Sequence, residues 1–426
     1  MHGSAVIGNR LYVLGGSVDG VGHVDMVWAA TVDREARVSP WAPQTPLPDL
    51  RHNINNAVEV VNSRIYIAGG SVAEDRKSTD TGISNINDVI YTTVQANGTL
   101  GTWARSQPFG EPRSLIATAN DGRALYITGG ATHTVPRDEV LAADFMPDGS
   151  LGPWRQVGTL PQPLWFHGAA ILEGRLYIWG GLTQSRSSSA TDAVWSAEIL
   201  PTSRLGSWRA EPPLPIPIYS SANRGFNDYI VSIGGRLAGG QPVNDIFVSK
   251  LDGGRVSPWR RLGTNLDTQY FHGLGLDEGR GWIFITGGRS RPDLAQFGRI
   301  IQDVRAFQLQ APREAQSPTL TALGFMDLQT ARNQAQASGR RILLYFRSPE
   351  VPSCLRFEDE LQGQKMTQDV LSGYHLAVVD VSRNPQLSYD FGLFKVPAFA
   401  ILGPGGTPLK TSVAIRTTEQ LRDFIK

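Results

Sequence analysis

Arg175-Leu176-Tyr177-Ile178-Trp179-Gly180-Gly181 is a short apolar run closed by two glycines. Five residues are too few for a helix, and Tyr, Ile and Trp favour a strand. Paired glycines at its end permit positive φ and close backbone approach. The same phrase recurs as Arg10–Leu14 before Gly15-Gly16, Arg64–Ala68 before Gly69-Gly70 and Ala124–Thr128 before Gly129-Gly130. Tyr229–Ile233 before Gly234-Gly235 and Trp282–Thr286 before Gly287-Gly288 complete the set. Successive pairs are 54, 60, 51, 54 and 53 residues apart. A fixed period of this size marks a repeat architecture.

Working outward, each pair is followed by an Asp that opens another apolar strand: Asp25, Asp88, Asp138, Asp192, Asp245 and Asp303. Its recurrence makes it a structural residue that accepts turn N–H groups. In five repeats a Trp follows: Trp41, Trp103, Trp154, Trp208 and Trp259. A large flat ring at that point can fill the wedge between neighbouring sheets. Each repeat therefore holds four strands, as in a propeller blade.

These motifs resemble the kelch-repeat family over residues 1–310, and the resemblance implies a six-bladed β-propeller. Propellers host enzymes, lectin-like binders and scaffolds, so the fold alone names no activity. Galactose-oxidase-like copper chemistry needs a cysteine near the axis, and residues 1–310 have none. Sialic-acid mutarotase-like chemistry, which needs only polar and charged pore side chains, stays open.

The sixth repeat ends after its third strand, Val304–Leu309, with no Trp beyond it. Met1-His2-Gly3 stands in register with Phe166-His167-Gly168, so the chain opens on an inner strand. A ring of six four-stranded units needs one more outer strand. The expectation is a natural product that begins upstream of Met1; an outer strand that the protein lacks is the alternative.

Composition bounds the rest. The chain has 426 residues, 46 Gly, 27 Pro and a formal net charge of +1. Near-balanced charge argues against an electrostatic nucleic-acid partner. One cysteine, Cys354, rules out an intrachain disulfide and a cysteine-rich zinc site. No apolar run approaches the ~20 residues of a membrane-spanning helix. All ten Trp lie between Trp28 and Trp282, and only 8 Gly follow residue 317. The Pro-bracketed residues 311–317 read as a linker to a second domain, 318–426.

That domain alternates helix and strand. Asp327 can cap a helix to Ser338; Arg341–Phe346 and His375–Val381 read as strands; Cys354–Leu361 reads as a helix. A short helix is expected at Pro385–Phe391, and a Gly403–Gly406 turn joins two further strands. Leu344-Tyr345-Phe346, Val379-Asp380-Val381 and Lys395-Val396-Pro397-Ala398-Phe399 resemble thioredoxin-like domains. The resemblance implies a cis peptide bond at Pro397. The family's two-cysteine motif falls on Glu350–Cys354, with Val351 in place of the attacking cysteine. Disulfide exchange needs an accessible thiolate and a resolving partner, so dithiol chemistry is excluded. Cys354 is read as a shielded remnant.

Candidate ligand-binding residues sit just before the inner strands: Arg51, Trp165, His167, Tyr219, Tyr270 and His272. Aromatic faces with imidazole and guanidinium donors suit a peptide or sugar at the pore mouth. His2, His167 and His272 are spread over three repeats, so no metal is assigned, and no cofactor. The leading function is a binding protein with a protein or glycan ligand and a redox-inactive second module, expected to be a monomer. A carbohydrate-active enzyme in the pore, or a thiol role for Cys354, are the alternatives. Arg makes up 34 of the 40 basic residues, which fits a GC-rich bacterial genome. An extracytoplasmic location is expected if the N-terminus is truncated, and a cytoplasmic one otherwise.

Overall fold

The computed structural model describes residues 1–18, 20–61, 63–78, 82–201, 203–262, 269–277, 281–290, 299–300, 304–309, 320–321, 323–347, 352–363, 371–381, 387, 391, 393, 396–412, 415 and 417–425. The linker 311–317, Asp303, Val351 and most of Arg289–Gln302 and Pro385–Phe391 lie outside them. The chain divides into two compact units. One comprises Met1–Val243, Ser249–Pro258 and Thr268–Leu309; the other comprises Asn244–Val248, Trp259–Asp267 and Gln310–Lys426. The sequence reading placed the two short stretches of the latter in the first domain.

The first unit is built from antiparallel sheets in a repeated order. The first sheet runs Gly3–Ile7, Arg10–Leu14, Val27–Thr31, Ala42–Pro43. The second runs Val58–Val61, Arg64–Ala68, Val89–Thr93, Ala104–Arg105. The third and fourth begin at Ala117–Asn120 and Gly168–Leu172, and the fifth at Ala222–Phe226. The sixth is Gly273–Asp277, Trp282–Thr286, Val304–Gln308 among the described residues. The first strands of successive sheets are neighbours, and Gly273–Asp277 lies beside Gly3–Ile7, which closes the circle. The unit is mostly β and consistent with a propeller.

Each sheet is sandwiched between two others, so its second strand is buried on both faces. In Arg64–Ala68 the four residues after Arg64 are all buried, and Arg175–Trp179 repeats this. Every buried Ile or Tyr there contributes roughly 1.5–3 kcal/mol. Tyr12 and Tyr66 donate their hydroxyls to Gly98 O and Gly149 O of the following sheet, both at 2.8 Å. In the second, third and fourth sheets the recurrent tryptophan ties the sheet to the preceding one. Trp103 Nε1 donates to Thr45 O, Trp154 Nε1 to Gln107 O and Trp208 Nε1 to Thr159 O, at 3.2, 2.9 and 2.7 Å.

The Gly-Gly pairs act through contact with the segments that enter the inner strands, the first glycine with the next sheet's and the second with its own sheet's. Gly181 has φ 93°, and a Cβ there would lie 2.7 Å from both His167 Cβ and Trp165 O. In three of the six repeats the recurrent Asp pairs with arginine rather than accepting turn amides. Asp88 pairs with Arg51 and Arg105, Asp25 with Arg76, and Asp245 with Arg261. At these positions a guanidinium supplies more donors to a carboxylate than a turn would.

In the second unit the helix Leu328–Ser338 is capped by Asp327, which accepts from Thr330 N, and ends on Gly339 in the left-handed region. Arg341–Arg347 pairs parallel with Tyr374–Asp380 and antiparallel with Ala398–Leu402. Ala398–Leu402 then pairs antiparallel with Pro408–Ser412 through the Gly403–Gly406 turn. The helices Pro352–Gly363 and Thr418–Ile425 complete the described elements, and Thr417 Oγ1 accepts from Gln420 N. The Val396–Pro397 bond is cis.

Candidate functional site

One mouth of the ring is shaped by an unusual backbone feature. Ahead of five of the six inner strands one residue is left-handed: Asn53, Leu115, Phe166, Ser220 and Phe271, with φ of 62°, 57°, 56°, 57° and 62°. Such φ values are rare outside glycine and a genuine outlier for a bulky side chain. Each costs about 1–2 kcal/mol, which the surroundings must offset. Part of the offset is visible. Asn53 N donates to Met1 O at 3.0 Å, Phe166 N to Leu115 O at 3.1 Å and Phe271 N to Ser220 O at 3.4 Å. Equivalent residues of neighbouring sheets are thus bonded to each other around the axis.

The side chains gather accordingly. Phe166 and Phe271 stack with centroids 6.1 Å apart and 14° between planes. Trp165 lies 4.9 Å from Phe166, Tyr219 lies 5.9 Å from Phe166 edge-on, and Tyr270 lies 4.7 Å from Phe271. Arg236 sits over the Tyr270 ring at 4.8 Å and over Tyr219 at 5.8 Å. Arg236 follows Gly234-Gly235 and bridges Tyr219 across the backbone, as Leu182 bridges Trp165. The result is an apolar, π-rich surface with a guanidinium at its edge.

The sequence candidates divide on this surface. Trp165, Tyr219 and Tyr270 come together in the cluster, but Tyr219 and Tyr270 are only 5% and 4% exposed and serve to hold Arg236. Arg51, His167 and His272, expected at the mouth, are buried instead, at 0–1% exposure. Arg51 is locked to Asp49 and Asp88. His167 Nε2 bonds Thr128 Oγ1 at 2.8 Å, and His2 Nε2 bonds Thr286 Oγ1 at 2.8 Å. Burial lowers the pKa of His167 to about 3 and that of His272 to about 4, so both rings are neutral. No three His, Cys, Asp or Glu among the described residues gather as a metal centre. Half-buried Phe166 and Phe271, and Arg236, were missed. Each Phe lies between two of the sequence candidates, and the backbone angle marks it as the residue presented.

The axis is not open from end to end. Asn55 and Asn56 are inserted ahead of the second inner strand, and Asn56 reaches across the ring. Its Nδ2 donates to His167 O and Ser221 O at 3.2 and 3.1 Å, and its Oδ1 accepts from Asn223 N at 3.1 Å. Thr118 N donates to its carbonyl at 2.9 Å. Beyond this plug, at the other ends of the inner strands, lies a cavity of about 590 Å³. Glu59, Asn120, Arg224 and Asp277 line it. Glu59 accepts from Thr118 Oγ1 at 2.8 Å and Asn120 Nδ2 at 2.7 Å. Arg224 donates to the carbonyls of Asn223, Asn55 and Val58. Burial lowers its pKa, and the nearby Glu59 opposes this.

In the second unit Cys354 is fully buried, among Phe346, Val381, Val396 and Ala398. Tyr345 lies beside it, its phenol pushed well above its usual range by burial and then by Cys354 and Glu358. Arg347 and Glu358 form a buried pair, with Nε to Oε1 at 2.6 Å. Pro397 is the cis residue next to strand Ala398–Leu402, and Val351 falls outside the described residues.

Comparison with known proteins gives the repeat a context. Kelch-like protein 33 of Homo sapiens is 30% identical over 146 residues, 34% of this chain and 25% of that protein. Kelch repeat-containing protein At3g27220 of Arabidopsis thaliana is 24% identical over 218 residues, 50% of this chain and 47% of that protein. The solved structure titled "Structure of YjhT" matches with a TM-score of 0.52 at 15% identity, covering 71% of this chain and 93% of that one. These likenesses support a kelch-type β-propeller. The chain spans between a quarter and about half the length of these two curated relatives. No known family's sequence profile matches the chain. No helix among the described residues is long and apolar enough to cross a membrane.

Proposed function

We propose that this chain is a binding protein whose six-bladed kelch propeller docks a polypeptide on the aromatic mouth. One observation carries the reading: Phe166 and Phe271, held in a costly left-handed backbone, stack on each other at the surface of the ring. Strain of this kind persists where the surroundings enforce it, and it clusters at ligand clamps. Rigid aromatic anchors with an arginine at the rim are what protein interfaces favour at their centres. The kelch-repeat relatives favour a protein ligand over a glycan, although the same ring faces would accept a sugar.

The second unit reads as a thioredoxin-like module without dithiol activity. The strand order, in which Arg341–Arg347 lies between Tyr374–Asp380 and Ala398–Leu402, supports that reading. The valine at position 351 and the burial of Cys354 support the loss of chemistry.

An enzyme acting on carbohydrate in the pore has an observation of its own. Glu59, Asp277 and Arg224 converge on the axial cavity. The guanidinium of Arg224, however, is occupied by three backbone carbonyls. The test is retention of peptides from a random dodecapeptide display library by the full chain and by its Phe166→Gly and Glu59→Gln variants. Loss with Phe166→Gly and retention with Glu59→Gln is the expected result. The reverse pattern would overturn the docking reading.

A further inference from the structure

The aromatic mouth is flanked by a second pocket whose charge says what kind of polypeptide it takes. The pocket, of about 340 Å³, lies between the loops that follow Gly15-Gly16 and Gly69-Gly70. His23, Arg76, Lys77, Ser78 and Arg289 line it, and no carboxylate does among the described residues. Arg289 joins it to the aromatic cluster, because Arg289 pairs with Tyr270 across the backbone as Arg236 pairs with Tyr219.

Arg76 is half exposed and pairs with Asp25 at 3.3 Å. Asp75, outside the lining, accepts the backbone N–H of Lys77 at 2.7 Å and places one negative charge near His23. His23 stacks on His52 at 4.3 Å and bonds Ser17 and Ser78. Burial holds its pKa below the ordinary value, so it is neutral near pH 7. Among the described residues the cationic groups of the lining are Arg76, Lys77 and Arg289. A net charge of +1 for the whole chain makes this concentration local. At the opposite mouth, by contrast, Glu59 and Asp277 face one arginine.

We infer that the polypeptide docked on the aromatic mouth carries an acidic side chain that seats in this pocket beside Lys77, Arg76 and Arg289. The inference rests on the docking reading above and adds the partner's charge. A rim cation of this kind acts mainly on association rate and partner choice.

The experiment selects peptides from a random dodecapeptide display library on the full chain and on its Lys77→Glu variant, then measures each winner at 50 and 300 mM salt. The expected winners combine Asp or Glu with aromatic or apolar residues. Their affinity should fall about tenfold in Lys77→Glu and weaken with salt. Winners without acidic residues, bound equally by Lys77→Glu, would overturn the acidic-partner inference and leave the docking reading standing. No retained peptide, or retention unchanged by Phe166→Gly, would overturn both.

Discussion

The rings of Phe166 and Phe271 lie nearly parallel, 6.1 Å apart, although their repeats are separated by another. They meet because the equivalent residue between them is Ser220, which has no ring to interpose. Two left-handed phenylalanines thus make one continuous surface.

Phe166→Gly separates binding from stability. Glycine relieves a left-handed cost of about 1–2 kcal/mol, which offsets the lost packing of a half-buried ring. Peptide affinity should fall at least tenfold, while the urea midpoint moves by no more than the equivalent of ~1 kcal/mol. Equilibrium unfolding and fluorescence titration on the same preparation check both.

Asn56→Ala should be costly without touching the mouth. The substitution removes three side-chain hydrogen bonds that join the second inner strand to the fourth and fifth. At about 1 kcal/mol each, with partners left buried, a loss of roughly 2–4 kcal/mol is expected. A urea midpoint unchanged from the parent would contradict the plug.

Acid should destabilise the ring through its buried histidines. Burial lowers His52 and His167 to about 3 and His272 to about 4, below an unfolded value near 6.5. The unfolded chain therefore binds more protons below pH 6.5. Stability is full above that pH and falls as pH drops towards 4, by up to about 1.4 kcal/mol per unit for each ring. His167→Gln, which keeps a polar group near Thr128, should flatten the slope between pH 6.5 and 4 in chemical denaturation.

Two side chains test the second unit. Insulin reduction should be absent, and Cys354 should react with a thiol reagent only after unfolding, because it is fully buried. Glu358→Ala leaves Arg347 buried without its carboxylate and should cost about 3–5 kcal/mol. Thermal unfolding monitored by circular dichroism reads the latter.

The repeat was legible because glycine at a position like Gly181 has no substitute: φ is positive and a Cβ would collide with His167. The tryptophans were legible for a similar reason, since Trp103, Trp154 and Trp208 each bond a carbonyl of the preceding repeat. The site was legible only by neighbourhood. Trp165-Phe166-His167 pointed to the right loop, but a strand alternates faces, so the histidine enters the core while the phenylalanine is presented. Arg51 misled because nothing in the linear order joins it to Asp88, 37 residues away. The left-handed set is a backbone property that Phe, Leu, Ser and Asn share without any common side-chain chemistry.

Hydrogen exchange of the full chain with and without a selected dodecapeptide tests the central claim most directly. The account predicts slowed exchange at Trp165–Phe166, Tyr219–Ser220, Arg236 and Tyr270–Phe271, and none at Glu59, Asn120 or Arg224. Protection confined to that opposite cavity, or to residues after 318, would contradict it.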